Sequence, residues 1–219
     1  MKPKVPVRTL TVLAVLSALA YLSMFFIKIP VVLFLSYEPK DVFIALAGFF
    51  YGPVPAFAVS LVVSFVEMIT VSATGWIGFT MNVVSSSAFV CTAAVIYKKK
   101  HDIKGALIGL MSGVLVATVV MLLWNYFLTP IFMGIPRAAV AELLLPAFLP
   151  FNLVKYGLNA AVTMLIYKPV VSALRSSRLL PASENKEAPK GKLNKGVLLL
   201  SAFVLITCVL LILVLQGRI

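Results

Sequence analysis

Pro150-Phe151-Asn152-Leu153-Val154-Lys155-Tyr156-Gly157-Leu158-Asn159-Ala160 sits inside a mostly apolar stretch running from about 142 to 174. A hydrocarbon core about 30 Å thick is crossed by about 20 helical residues, so this stretch is long enough to span a bilayer. A charge near the middle of such a helix costs on the order of 2.5–3.5 kcal/mol if it faces lipid. Lys155 therefore faces the inside of a helix bundle. Asn152, Lys155 and Asn159 follow i, i+3, i+7 spacing, which puts all three on one helical face. The fold that satisfies this segment is a bundle of membrane helices with a polar interior.

Composition agrees. Of 219 residues, 62% are hydrophobic and only 12% charged, against about 25% charged in a soluble domain. The chain reads as an all-α polytopic membrane protein. Its formal net charge of +12 does not indicate nucleic acid, because the basic residues cluster at span ends instead of forming a binding stripe. Two cysteines, Cys91 and Cys208, lie in separate apolar segments and signal neither a disulfide nor a metal site.

Working outward, the first span covers about 9–27 after Lys2, Lys4 and Arg8. Ala18-Leu19-Ala20 resembles a signal-peptide cleavage site, but the apolar run continues through Met24, Phe25, Phe26 and Ile27, so the segment is kept as a helix. The stretch 28–41 is too broken to span and reads as an outer loop covering a cavity. Further helices are expected at about 41–51 (short), 55–71, 77–97, 104–129 (stopped by Thr129-Pro130) and 142–174, the last bent by Pro146, Pro150 and Pro169. The expected organisation is a six-helix domain over 1–178, a charged, exposed and mobile linker over 179–195, and an additional seventh helix over 196–219.

The lysines and arginines orient the bundle. With the N-terminus in the cytoplasm, the inner ends hold Lys2, Lys4, Arg8, Lys98, Lys99, Lys100, Lys104, Lys168, Arg175, Arg178, Lys186, Lys190, Lys192 and Lys195. The outer side keeps Lys28, Lys40, Arg137 and Arg218. That asymmetry follows the positive-inside rule and describes a multi-pass protein of the cell membrane. In this topology Glu67, Asn82, Asn125, Asn152, Lys155 and Asn159 all fall in the outer half. One asparagine in a span is ordinarily interhelical glue; six such groups at one depth, including a Glu and a Lys, describe the lining of a ligand cavity. Ser60, Ser64 and Glu67 share one face, as do Asn82, Ser85 and Ser86. Trp124, Tyr126, Phe148 and Phe151 lie near the same level and are candidates for stacking on a planar ligand.

No G-x-x-x-x-G-K-[ST] loop, H-E-x-x-H or G-x-S-x-G pattern is present, and the lone His101 sits in a basic loop. The chain reads as a binder and not an enzyme. The halves show no inverted repeat of the kind found in many secondary transporters. Ala14-x-x-x-Ala18 offers a small-residue stripe for a partner helix.

Four segments resemble the riboflavin-specific substrate-binding (S) component of energy-coupling factor (ECF) transporters. They are Tyr37-Glu38-Pro39-Lys40-Asp41 with the helix that follows, Glu67 to Gly78, Leu123-Trp124-Asn125-Tyr126 with Thr129-Pro130, and Pro150 to Ala160. The resemblance covers about residues 8–178 and implies a six-helix S-component fold. It also implies an outward-facing vitamin pocket capped by the loop before the second helix, with Lys40, Glu67, Asn82, Trp124, Asn125, Asn152, Lys155 and Asn159 as ligand-binding candidates. Riboflavin is then the transported ligand, with flavin mononucleotide and analogues undecided, and no cofactor is expected. The implied partners are a membrane-embedded coupling subunit, docked on the Ala14/Ala18 face, and two ATPase subunits. Asn125, Asn152, Lys155 and Asn159 suit the polar edge of an isoalloxazine ring, while Glu67 and Asn82 suit ribityl hydroxyls. Two alternatives stay open: a self-sufficient facilitator for the same ligand, and an intramembrane lipid-processing enzyme using Glu67 and Lys155 as acid and base.

Overall fold

The computed structural model describes residues 6–72, 74–177, 179 and 195–217. Helix α1 (Val7–Phe26) leads into a short antiparallel hairpin, β1 (Ile29–Val32) and β2 (Leu35–Tyr37). There follow α2 (Lys40–Tyr51), α3 (Pro53–Thr70), α4 (Gly75–Lys99), α5 (Ile103–Met133) and α6 (Arg137–Leu143). A π-helical turn at Leu144–Phe148 joins α6 directly to α7 (Leu149–Ser176), and α8 (Lys195–Leu215) closes the chain. Among the described residues six helical segments are long and apolar enough to cross a membrane, with α6, the π turn and α7 acting as one.

Three expectations change. The 28–41 loop contains a hairpin with register Ile29↔Tyr37, Pro30↔Ser36 and Val32↔Leu35, irregular between Pro30 and Val32. The β-branched run Ile29, Val31, Val32 favours extended backbone, and the two-residue turn holds Leu33 at φ 52. Second, Pro130 does not end α5, which continues to Met133 and stops at left-handed Gly134 (φ 65). Passing through a proline forfeits one backbone hydrogen bond, whereas ending a helix at that depth would strand several in hydrocarbon. Third, the last core helix begins at Arg137, five residues before the expected 142, with its irregularity concentrated in the π turn that holds Pro146. The expected linker lies almost wholly outside the described residues, as do Lys2, Lys4, Arg178 and Arg218.

The twelve-residue α2 is too short to span. It is instead the axis of the bundle: Ile44, Leu46 and Ala47 have no exposed surface, and α1, α3, α4 and α7 pack around it. The tightest helix pair is α4 with α5. There Gly109 and Gly113 lie against backbone carbonyls, so a Cβ on Gly109 would sit 2.7 Å from the Ala93 oxygen and one on Gly113 2.6 Å from the Phe89 oxygen. The Gly105-x-x-x-Gly109-x-x-x-Gly113 spacing lets the backbones meet, which matters where lipid is as apolar as the helix surface. Short turns join α3 to α4, α4 to α5 and α5 to the α6–α7 segment, so these run antiparallel in succession. Lys98, Lys99, Lys100, Lys104 and Arg175 therefore share one end, with the hairpin at the other.

Gly109→Leu is expected to force α4 and α5 apart and destabilise the protein by about 1–3 kcal/mol. The lipid-facing control Leu115→Ala, 61% exposed, should leave the melting temperature in detergent nearly unchanged.

Candidate functional site

The hairpin end encloses a cavity of about 320 Å³, within the size range of small-molecule sites. Its wall takes Glu67 from α3, Met81, Asn82 and Ser85 from α4, Met121, Asn125 and Phe132 from α5, and Phe151, Asn152 and Lys155 from α7. The hairpin roofs it with Phe34, Leu35, Ser36 and the adjoining Glu38, and Lys28 stands at its edge.

Five of the eight candidates from the sequence meet at this wall: Glu67, Asn82, Asn125, Asn152 and Lys155. The other three lie elsewhere. Lys40 begins α2 with 0% exposure and lies behind the wall, where its Nζ pairs with Glu67 and, at 3.1 Å, with Glu38 Oε2. Asn159 is on the face of Asn152 but seven residues further on, about 10 Å along the helix axis at 1.5 Å per residue. It accepts from the Tyr37 hydroxyl at 3.2 Å and donates to Asp41 Oδ2 at 3.4 Å, beneath the hairpin. Trp124 is one position before the inward Asn125 and so is rotated about 100° away; it lines a small recess that adjoins the cavity across Phe34, Met81 and Phe132. Of the other aromatic candidates only Phe151 reaches the cavity. Phe148 is buried in the apolar cluster beside it, and Tyr126 stacks against the Arg137 guanidinium 5.6 Å away.

The site is built as a charge lattice. Glu67 accepts from Lys40 with one oxygen and from Asn82 Nδ2 at 2.9 Å with the other. Glu38 bridges Lys40 and Lys28, the latter at 3.2 Å. Burial alone would raise the Glu38 carboxyl, but Lys40, Lys155 and Lys28 outweigh it and hold it below the usual carboxylate range. Asp41, fully buried, accepts from Ser86 and Asn159. Lys155 stands apart from this pairing. No ion pair among the described residues includes it; its Nζ reaches Ser85 Oγ at 3.5 Å and lies 5.7 Å from the Tyr156 ring centre. Asn125 and Asn152 each spend one N–H on their own helix, to Met121 and Phe148 carbonyls, and an amide keeps further donor and acceptor capacity.

Glu67 pairs with Lys40 and not with Lys155. Glu38, Lys28, Ser85, Met81 and Met121 also line the cavity without having been among the ligand-binding candidates. The signal for Glu38 was present, since three charges within Tyr37-Glu38-Pro39-Lys40-Asp41 next to an apolar helix require buried partners.

A membrane helix bundle with a roofed polar cavity at one end, and no cluster of three or more His, Cys, Asp or Glu fit to hold a metal among the described residues, is the architecture of a small-molecule-binding membrane subunit. Residues 8–167 match the family described as ECF transporter, substrate-specific component, and the chain belongs to that family. It is 30% identical to the riboflavin transporter RibU of Staphylococcus aureus (strain TCH60), over 77% of this chain and 93% of that protein. It is 25% identical to the riboflavin transporter FmnP of Bacillus subtilis (strain 168), over 79% and 98%. A solved structure of the S component of a bacterial ECF transporter superposes with TM-score 0.64 at 30% identity, covering 76% of this chain and 97% of that one. The two relatives are named as transporters, and the superposed structure as a transporter component.

Lys40→Met should leave Glu38 and Glu67 buried without their shared cation and cost about 3–5 kcal/mol, whereas Lys40→Met combined with Glu67→Gln should recover part of that loss. Thermal unfolding of the two variants beside the wild type measures it; additive losses would mean the ion pair is energetically idle.

Proposed function

We propose that the chain is the riboflavin-binding subunit of an ATP-driven ECF-type uptake system. It takes the vitamin into the roofed cavity from outside and hands it to a coupling subunit driven by two ATPases. The observation that carries this reading is Lys155: a buried ammonium on the cavity wall, in no ion pair among the described residues, beside amides with spare hydrogen-bonding capacity. A flat heterocycle with carbonyl acceptors along one edge and a polyhydroxyl tail supplies what that wall lacks. Lys155, Asn125 and Asn152 would serve the ring edge, and Glu67 and Asn82 the tail hydroxyls, while Phe151, Met81 and Met121 supply apolar contact. Lys40 and Asn159 act from behind, holding Glu67 and the hairpin in place, and Trp124 shapes the recess beside the site. The family relatives named as riboflavin transporters support the choice of ligand.

In this reading the N-terminus is cytoplasmic, which puts the basic end inside and the hairpin outside, in accord with the positive-inside rule. Docking to the coupling subunit runs through α1. Ala14 and Ala18 lie on its exposed face beside Val15, Leu19 and Leu22, away from the buried Val12, Leu16 and Ala20. A small-residue stripe open to the membrane lets a second helix approach closely.

Purified protein is expected to quench riboflavin fluorescence at about one ligand per chain without ATP, and the absence of quenching at micromolar ligand would sink the proposal. Lys155→Met should raise the dissociation constant about tenfold to a hundredfold, the equivalent of one charge-assisted hydrogen bond. Lys168→Met, near the basic end, should change it little. Unaltered affinity in a normally melting Lys155→Met protein would place the ligand elsewhere.

Ala14→Trp and Ala18→Trp are expected to keep riboflavin affinity but abolish uptake in cells and copurification with the coupling subunit. Normal transport by either variant would remove α1 as the docking face.

A further inference from the structure

The family match ends at residue 167, yet the chain continues into α8, and α8 touches the roof of the cavity. Its N-terminal end starts at the basic side, so its C-terminal end arrives beside the hairpin. There Gln216 Nε2 donates to the Pro30 carbonyl of β1 at 2.6 Å. One and two turns below, Ile212 and Cys208 are buried in the same apolar cluster as Val31, Leu35 and Tyr37 of the hairpin and Phe151, Val154 and Leu158 of α7. Gly157 makes room for this approach: a Cβ there would already touch Cys208 Sγ at 3.4 Å.

The hairpin needs such support. Its strands have four and three residues, its register slips between Pro30 and Val32, and its turn holds Leu33 in the left-handed region, which disfavours a side chain. A lone two-stranded hairpin is marginal at best even with good geometry. Its other ties are Tyr37 to Asn159, Glu38 to Lys28 and Lys40, and Phe34 against Phe132 with ring centres 5.3 Å apart. These act on the tip, on β2 or on the flanks of the hairpin, while Val31 of β1 packs into the shared apolar cluster. Among the described residues the Gln216–Pro30 contact is the side-chain hydrogen bond that grips the backbone of β1.

We infer that α8 is an intramolecular strap: through Gln216 on Pro30 and Ile212 in the shared apolar cluster it holds β1 down and slows release of the ligand from the cavity beneath. Gln216 and Ile212 are positioning residues that act through the hairpin, since neither lines the cavity. The ligand half of this inference rests on the riboflavin reading above; the hairpin half does not.

The full chain in lipid nanodiscs tests both halves with two readouts: hydrogen–deuterium exchange of amides 29–37 without ligand, and the riboflavin dissociation rate by stopped-flow fluorescence. Gln216→Ala and Ile212→Ala should speed hairpin exchange. They should also speed riboflavin release, about two- to tenfold for the single hydrogen bond lost in Gln216→Ala. Gln216→Lys, which keeps a donor of sufficient reach, should restore wild-type behaviour in both. Phe203→Ala, on the exposed face of α8, should change neither. Unchanged exchange in both Gln216→Ala and Ile212→Ala overturns the strap, and faster exchange with unchanged release overturns its role in retention. If the wild type binds no riboflavin, the ligand reading falls on its own and the exchange data still decide whether α8 holds the hairpin.

Discussion

Lys40 carries a charge into a place with no solvent, and much of the outer half is arranged around that fact. An ammonium is tolerated there only with partners, and two carboxylates from different elements reach it: Glu38 at the exit of the hairpin and Glu67 near the end of α3. Each carboxylate then needs its remaining oxygen satisfied, which brings in Asn82 of α4 and Lys28 beyond α1. Asp41, the next residue along, repeats the pattern with Ser86 of α4 and Asn159 of α7. Two adjacent residues thereby tie α2 to the hairpin, α3, α4 and α7. A buried ion pair adds little net stability, because desolvation offsets most of the attraction. Its effect is on register. Apolar surfaces alone resist sliding by a turn only weakly in lipid, and unpaired charge forbids it strongly.

The spans were legible in the sequence because bilayer thickness imposes a length, and the inward faces because polar side chains must turn away from lipid. That logic correctly turned Glu67, Asn82, Asn125, Asn152 and Lys155 toward one interior and predicted that 28–41 would lie over it. It says nothing about depth along a shared face, and Asn159 shows the consequence: right face, one level too deep. Partner choice was equally hidden. Glu67 had two lysines within reach in principle, and only the placement of α2 at the bundle axis gives it to Lys40. The hairpin escaped notice because its strands are shorter than any periodicity can mark and Pro30 argues against extended pairing except at an edge. Pro130 misled for the opposite reason, since in a membrane the cost of ending a helix exceeds the cost of passing through a proline.

Close packing does for the inner half what charge does for the outer. Below the cavity the bundle fills with Phe89, Tyr156, Val90, Ala93, Ala106 and Leu110, all at or near complete burial. Toward the basic end Phe49, Tyr97 and Tyr167 form an aromatic group, with the two tyrosine hydroxyls 2.6 Å apart. The glycines of α5 draw α4 to van der Waals distance alongside this plug. A cavity roofed on one side and floored by side chains at interior density can hold a molecule with no open path beneath it. Crossing would require the floor to come apart, at the cost of many dispersion contacts.

That division sets what each surface of the molecule is for. Helices α4 and α5 present large aliphatic side chains outward, such as Val95, Leu115 and Ile131, as suits contact with fluid lipid. Helix α1 breaks that pattern with Ala14 and Ala18 in its exposed row, where lipid gains nothing from small residues and a second helix gains proximity. It also packs on α2 and α3, the two helices whose ends hold Lys40 and Glu67. Force applied at α1 by a partner would therefore reach the ionic junction behind the cavity wall through directly packed elements, without passing through the aromatic plug.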